Sequence, residues 1–106
     1  MRRGEVWWVN FEPSMGGEIK KKRPAVIISN DTANKFLNRV QVAPLTSKVK
    51  RVYPSEALVT LNEQPNKAVA DQLTTVSKQR MINRAGVLSF DDMHNVEQAV
   101  KVQLGL

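Results

Sequence analysis

The side chains in this chain that could do chemistry are few and widely spaced. Arg23 stands directly before Pro24-Ala25-Val26-Ile27-Ile28, the most strongly apolar run of the sequence. Branched residues without polar interruption suit a strand covered on both faces. Pro24 has no N–H and fits the first strand position, and it presses Arg23 towards an extended backbone. Arg23 is therefore expected where a loop becomes a core strand. A guanidinium on so rigid a base can hold its planar fork of donors against a carboxylate or a phosphate; the plainer alternative is a surface ion pair. The other polar candidates are Glu18 in a glycine-containing loop, Thr46-Ser47 where a strand pattern ends, and Asp71-Gln72 inside another. Nucleophile triads, a P-loop, an H-E-x-x-H pair and a dinucleotide fingerprint are all absent. With one histidine and no cysteine there are too few N or S ligands for zinc, so the expected chemistry runs without zinc, and no cofactor is expected.

A chain of 106 residues suits one domain, 1–106, able to bury a real core. Sixteen Lys and Arg against 10 Asp and Glu give a net charge of +6 and a pI near 10.0, which favours a polyanionic partner such as nucleic acid. The N-terminus lacks a long apolar leader, and no run is long enough to span a bilayer, so a soluble, cytoplasmic protein with no membrane partner is expected.

These candidates must be positioned by strands. Residues 5–11, aromatic and β-branched, read as a first strand, with Trp7 and Trp8 on opposite faces, so that at most one is core and the other is free to stack on a base or a subunit. Packing, in the core or at a subunit contact, is favoured over base stacking. Residues 12–22, with Pro13, Gly16 and Gly17 and the run Lys20-Lys21-Lys22, read as a long loop of the kind that serves as a binding arm. After the Arg23 strand, residues 31–36 fit one helical turn capped by Asn30 or Asp31. Residues 39–46 alternate as a third strand, in which Pro44 suggests an edge or a bulge. A basic loop follows, then strands over 55–61 and 67–76 separated by a polar turn that contains Pro65. A helical turn over 78–81 and a short strand over 85–88 complete this part. Ser89-Phe90-Asp91-Asp92 resembles a capping box, and Met93, Val96, Val100 and Leu104 form an apolar helical face that Gly105 ends. His94 reads as a partly exposed surface residue of that helix. The economical fold is mainly β, a small, strongly curved antiparallel sheet or open barrel closed by a C-terminal helix.

Trp7 to Phe11 followed by Glu12-Pro13 and Gly16-x-Glu18, then Arg23-Pro24-Ala25-Val26, Pro44-x-Thr46-Ser47, Tyr53-Pro54 and Ala70-Asp71-Gln72, resembles the MazF/PemK family of toxins. The likeness runs in order along nearly the whole chain, and the spaced set is far more specific than any one piece. It implies an SH3-like barrel and a homodimer. The implied activity is a metal-independent endoribonuclease, an mRNA interferase that cuts single-stranded RNA at short motifs and is neutralised by a cognate antitoxin whose tail fills the RNA groove.

By the same resemblance Arg23 would grip the scissile phosphate and Thr46 would hydrogen-bond it, while the 2′-OH of the RNA attacks to leave 2′,3′-cyclic phosphate and 5′-OH ends. Glu18 matches the family's loop acid, a candidate base. Asp71 matches an acid used in some relatives, but Gly17 and Val69 stand where those relatives have a histidine and a second arginine. Asp71 is thus left between an acid/base role and a structural bond to Gln72 or backbone. Lys20, Lys21, Lys22, Lys48, Lys50 and Arg51 lie in the two loops beside the expected cleft, and with Ser47, Asp71 and Gln72 they are the candidate RNA contacts; ordinary solvated charge is the alternative. A catalytically silent RNA- or antitoxin-binding module on the same barrel is the second reading, and a DNA-binding regulator the third, weakened by the lack of a helix-turn-helix pair.

Overall fold

The computed structural model describes residues 1–13, 15–17 and 21–106. Seven strands form one antiparallel, strongly curled sheet: β1 (Glu5–Asn10), β2 (Lys22–Ile27), β3 (Arg39–Thr46), β4 (Glu56–Leu61), β5 (Gln64–Val69), β6 (Thr74–Ser77) and β7 (Met81–Val87). Their order is β4-β5-β3-β2-β1-β7, and β6 pairs with the first half of β3. Two helices complete the chain, α1 (Asp31–Phe36) and α2 (Phe90–Leu104). Among the described residues no helix is long and apolar enough to cross a membrane.

The Arg23 strand is covered on both faces, as its unbroken apolar run requires. Val26 joins Val6, Leu45, Val59 and Val96 in a core beneath α2, while Ala25 and Ile27 join Val9, Val40 and Val42 in a second core on the opposite face. The sheet curls until its two edges meet. Asn62, in the β4–β5 turn, donates from Nδ2 to the Ala85 carbonyl on β7 at 2.9 Å. Gly86 permits that approach, because a Cβ there would stand 3.0 Å from Leu61 Cδ1.

Several elements differ from the sequence reading. Pro44 marks a local edge inside a central strand: it is buried and paired with Ala25, at the point where β3 changes its other neighbour from β6 (residues 39–42) to β5 (residues 45–46). A residue without an N–H is well suited to a strand segment that has a neighbour on one side only. Pro65 lies inside β5 rather than in a polar turn, since Asn62 and Glu63, both at positive φ (48° and 68°), close a tight two-residue hairpin. The expected strand over 67–76 is two strands. Five residues (69–73) cover the span that two (43 and 44) cover in β3, and the surplus is extruded as the 3₁₀ turn Ala70–Gln72. β7 starts four residues before the expected last strand, because pairing with β1 supplies the hydrogen bonds that its mixed composition does not advertise.

α1 takes Asn30 as its N-cap, and α2 takes Ser89, whose hydroxyl accepts from the Asp92 amide at 3.1 Å. Gly105, at φ 71°, ends α2. Met93, Val96 and Ala99 are its buried residues, whereas Leu104 is 55% exposed, since the apolar face outruns the sheet beneath it.

Candidate active site

Arg23 enters β2 level with Val9 of β1. Side chains alternate along a strand, so Arg23 shares its face with Ala25 and Ile27, the face of the second core. Thr46 is the last residue of β3 and continues the face of Val40 and Val42. The β2–β3 pairing ends at Ala25 with Pro44, two residues short of both Arg23 and Thr46. Antiparallel pairing thus brings positions 23 apart in sequence to the same end of the two strands, with their side chains on one face.

The Arg23 guanidinium is incompletely satisfied. Its Nε is out of water and has no hydrogen-bond partner among the described residues. Leaving a buried donor unpaired costs about 1–3 kcal/mol, and more for a charged group, so native proteins seldom do so without a use for it. Thr46 is half-buried, and its Oγ1 accepts from the Lys48 amide at 3.2 Å. A hydroxyl has one proton and two lone pairs, so this bond leaves the Thr46 proton for another acceptor.

Beside this pair lies a cleft of about 590 Å³ whose lining includes Phe11, Pro44, Gln72, Thr75 and Arg80. Pro44 stands between Val42 and Thr46 on the shared face, and Phe11 is two residues on from Val9. Arg23 and Thr46 themselves are not among the lining residues. Asp71 and Gln72 reach the cleft because the 3₁₀ turn lifts them out of the sheet, a placement that their expected strand position did not provide. The Asp71 carboxylate is exposed and makes no hydrogen bond among the described residues. Gln72 donates from Nε2 to the Gly17 carbonyl at 3.3 Å, tying the turn to the loop after β1.

Of the expected loop cations, Lys21, Lys22, Lys48, Lys50 and Arg51 are exposed, as is Ser47. Glu18 and Lys20 lie outside the described residues. The loop after β1 is closed at its base by hydrogen bonds from the Phe11 amide to the Lys21 carbonyl at 2.9 Å and from the Lys21 amide to Glu12 Oε1 at 2.8 Å.

Two residues that the sequence reading passed over help to build this region. Arg80 lines the cleft and donates from Nη1 to the carbonyls of Asn10 and Glu12, holding the start of the loop. Its signal was faint, one cation among many in a short turn. Lys67 pairs with Thr46 across β3 and β5, and its ammonium donates to Glu56 Oε1 at 2.8 Å and to the Arg51 carbonyl at 2.7 Å. Burial alone would push the Glu56 carboxyl up. The hydrogen bonds from Lys67 and from the Tyr53 amide, with the Lys67 charge, outweigh it and hold Glu56 below the usual carboxylate range.

A carboxyl depressed on folding stabilises the fold fully above its unfolded value, about 4.3 for glutamate, and that contribution is lost as pH falls through the lower folded value. Urea unfolding followed from neutral pH to about pH 3 should therefore show the wild-type chain losing more stability than Glu56→Gln. Parallel losses in the two proteins would deny Glu56 this role.

The chain and its fold have counterparts among known proteins. The family model described as PemK-like, MazF-like toxin of type II toxin-antitoxin system matches residues 2–104. Endoribonuclease MazF9 of Mycobacterium tuberculosis is 34% identical over 115 aligned positions, covering 100% of this chain and 98% of that protein. The crystal structure of MazF from Deinococcus radiodurans superposes with a TM-score of 0.88 at 26% identity, covering 100% of this chain and 97% of that one. An endoribonuclease from a mycobacterial species, in complex with its cognate antitoxin, shares the fold with a TM-score of 0.85 at 21% identity, covering 100% and 96%. With the match running from residue 2 to residue 104 and the same curled sheet beneath it, this chain belongs to the PemK-like, MazF-like toxins of type II toxin–antitoxin systems.

Proposed function

We propose that the endoribonuclease chemistry of this MazF-like chain is carried by Arg23 and Thr46, acting on single-stranded RNA without a metal ion. The observation that carries this reading is the Arg23 Nε, buried and unpartnered among the described residues, on a strand face shared with Thr46. A phosphodiester seated there would accept from the guanidinium and from the free Thr46 proton. RNA brings its own nucleophile, so the protein need only align the 2′-OH with the adjacent phosphorus and neutralise the charge that develops on the phosphoryl oxygens. The O2′–P bond forms as the P–O5′ bond breaks, leaving a 2′,3′-cyclic phosphate and a 5′-OH. The 2′-OH proton passes to a base, for which Glu18 is the candidate, and the departing 5′-oxygen takes up a proton.

The exposed cations Lys21, Lys22, Lys48 and Lys50 suit the flanking phosphates, together with exposed Ser47 and with Lys20, the sequence neighbour of Lys21. Asp71 and Gln72, raised on their turn at the cleft, suit base edges. The protein would work in the cytoplasm as a homodimer held in check by a cognate antitoxin. Similar toxins have been crystallised with such an antitoxin, including MazE-MazF of Deinococcus radiodurans.

Incubation of the purified chain with single-stranded RNA in EDTA tests this. Cutting that leaves cyclic-phosphate ends is the expected result. Binding without cutting would identify a silent RNA-binding module instead.

A further inference from the structure

Across from Thr46, on the same face, stands a second arrangement that the phosphate chemistry does not use. Lys67 is paired with Thr46, so the two side chains leave neighbouring strands together, with Cβ atoms about 5 Å apart. Its ammonium lies 5.9 Å from the centre of the Tyr53 ring. The Arg51 guanidinium lies 5.9 Å from the same ring and donates from Nη1 to the Tyr53 hydroxyl at 3.1 Å. Tyr53 as a whole is 51% exposed.

The backbone beneath the ring is tied down. The Tyr53 amide donates to Glu56 Oε1 at 2.9 Å, the oxygen that also accepts from Lys67, and Lys67 holds the Arg51 carbonyl. The side chains of Lys67 and Glu56 are mostly buried, 12% and 11% exposed. A mostly buried ion pair therefore holds a half-exposed tyrosine, flanked by positive charge, by way of Lys67, the strand partner of Thr46. Aromatic rings set among cations are the means by which proteins stack unpaired bases while following the phosphate chain.

We infer that Tyr53 is a stacking platform for the nucleobase adjoining the scissile phosphate, with Arg51 beside it for that nucleotide's own phosphate. The inference rests on the RNA reading above and adds a subsite to it. Lys67 and Glu56 are positioning residues: they touch no RNA and set where the ring stands. Because every base has a π-face, the platform secures a nucleotide without choosing its identity.

The test is equilibrium binding of a mixed-sequence, 2′-O-methyl single-stranded oligonucleotide, which cannot be cut, to the wild-type chain, Tyr53→Ala and Tyr53→Phe. Tyr53→Ala should weaken binding about tenfold. Tyr53→Phe, which keeps the ring and cannot fail to fold for want of it, should stay within about twofold of wild type. The dependence of affinity on salt should be the same in all three, because a lost stack releases no counterions. Unchanged binding by Tyr53→Ala overturns the inference. So does a Tyr53→Phe variant as weak as Tyr53→Ala, which would assign the effect to the hydroxyl. A salt slope reduced by about 0.7, the signature of one lost phosphate contact, overturns it as well. A wild-type chain that neither binds nor cuts RNA sinks the RNA reading itself, a result distinct from any pattern among the variants.

Discussion

Arg23→Ala is expected to lower RNA cleavage by on the order of 10²-fold or more, the effect of removing one preorganised donor from a developing oxyanion. The same substitution should leave the melting temperature unchanged or slightly raised. The wild-type guanidinium keeps a buried Nε without a partner among the described residues, which costs stability in the RNA-free protein, and alanine removes that cost. Loss of activity with no loss of stability is the mark of a group held for its ligand. A structural arginine would behave in the opposite way, since breaking its contacts would lower stability first. Arg23→Lys should not restore the rate, because an ammonium is a single point of charge and cannot span two phosphoryl oxygens as the guanidinium fork does. Single-turnover cleavage of labelled RNA beside a thermal melt measures both quantities. Near-normal cleavage by Arg23→Ala would remove Arg23 from the mechanism.

The second large effect concerns the substrate. Replacing the 2′-OH by hydrogen at the one nucleotide on the 5′ side of the cut should abolish cleavage there while leaving affinity nearly unchanged. The phosphates that hold the strand remain, and the only thing lost is the nucleophile, whose intramolecular placement supplies much of the rate. A deoxy substitution at any other position should be cut almost normally. Gel analysis of a series of singly substituted oligonucleotides gives the answer directly. Continued cleavage at the substituted nucleotide would mean that water attacks the phosphorus, and Arg23 and Thr46 would then be supporting a different reaction.

Much of this architecture was legible in the sequence because the signals are local. The unbroken apolar run after Pro24 can be satisfied only by a strand covered on both faces, and Ala25, Val26 and Ile27 are distributed between two cores. Ser89 and Gly105 bracket α2 because an orphaned amide and a left-handed residue are needed at those positions. The break at Ala70–Gln72 was not legible. It arises from a mismatch of length between β3 and the segment opposite it, a quantity that belongs to the pairing and not to either stretch. Arg80 and Lys67 were missed for a related reason: a cation among many cations has no signal until its carbonyl and carboxylate partners, up to 70 positions away, are known.

Residue types and periods determined the mainly β fold, the terminal helix and the basic charge, while the spaced motifs carried the resemblance to the family. Tertiary structure alone decided that Arg23 and Thr46 share one strand face, that Arg23 Nε is buried with no partner among the described residues, and that Asp71 and Gln72 rise out of the sheet at the cleft. The physical reason is that strand propensity is a property of a few consecutive residues, whereas register, burial and hydrogen-bond satisfaction exist only between segments that the chain has already brought together.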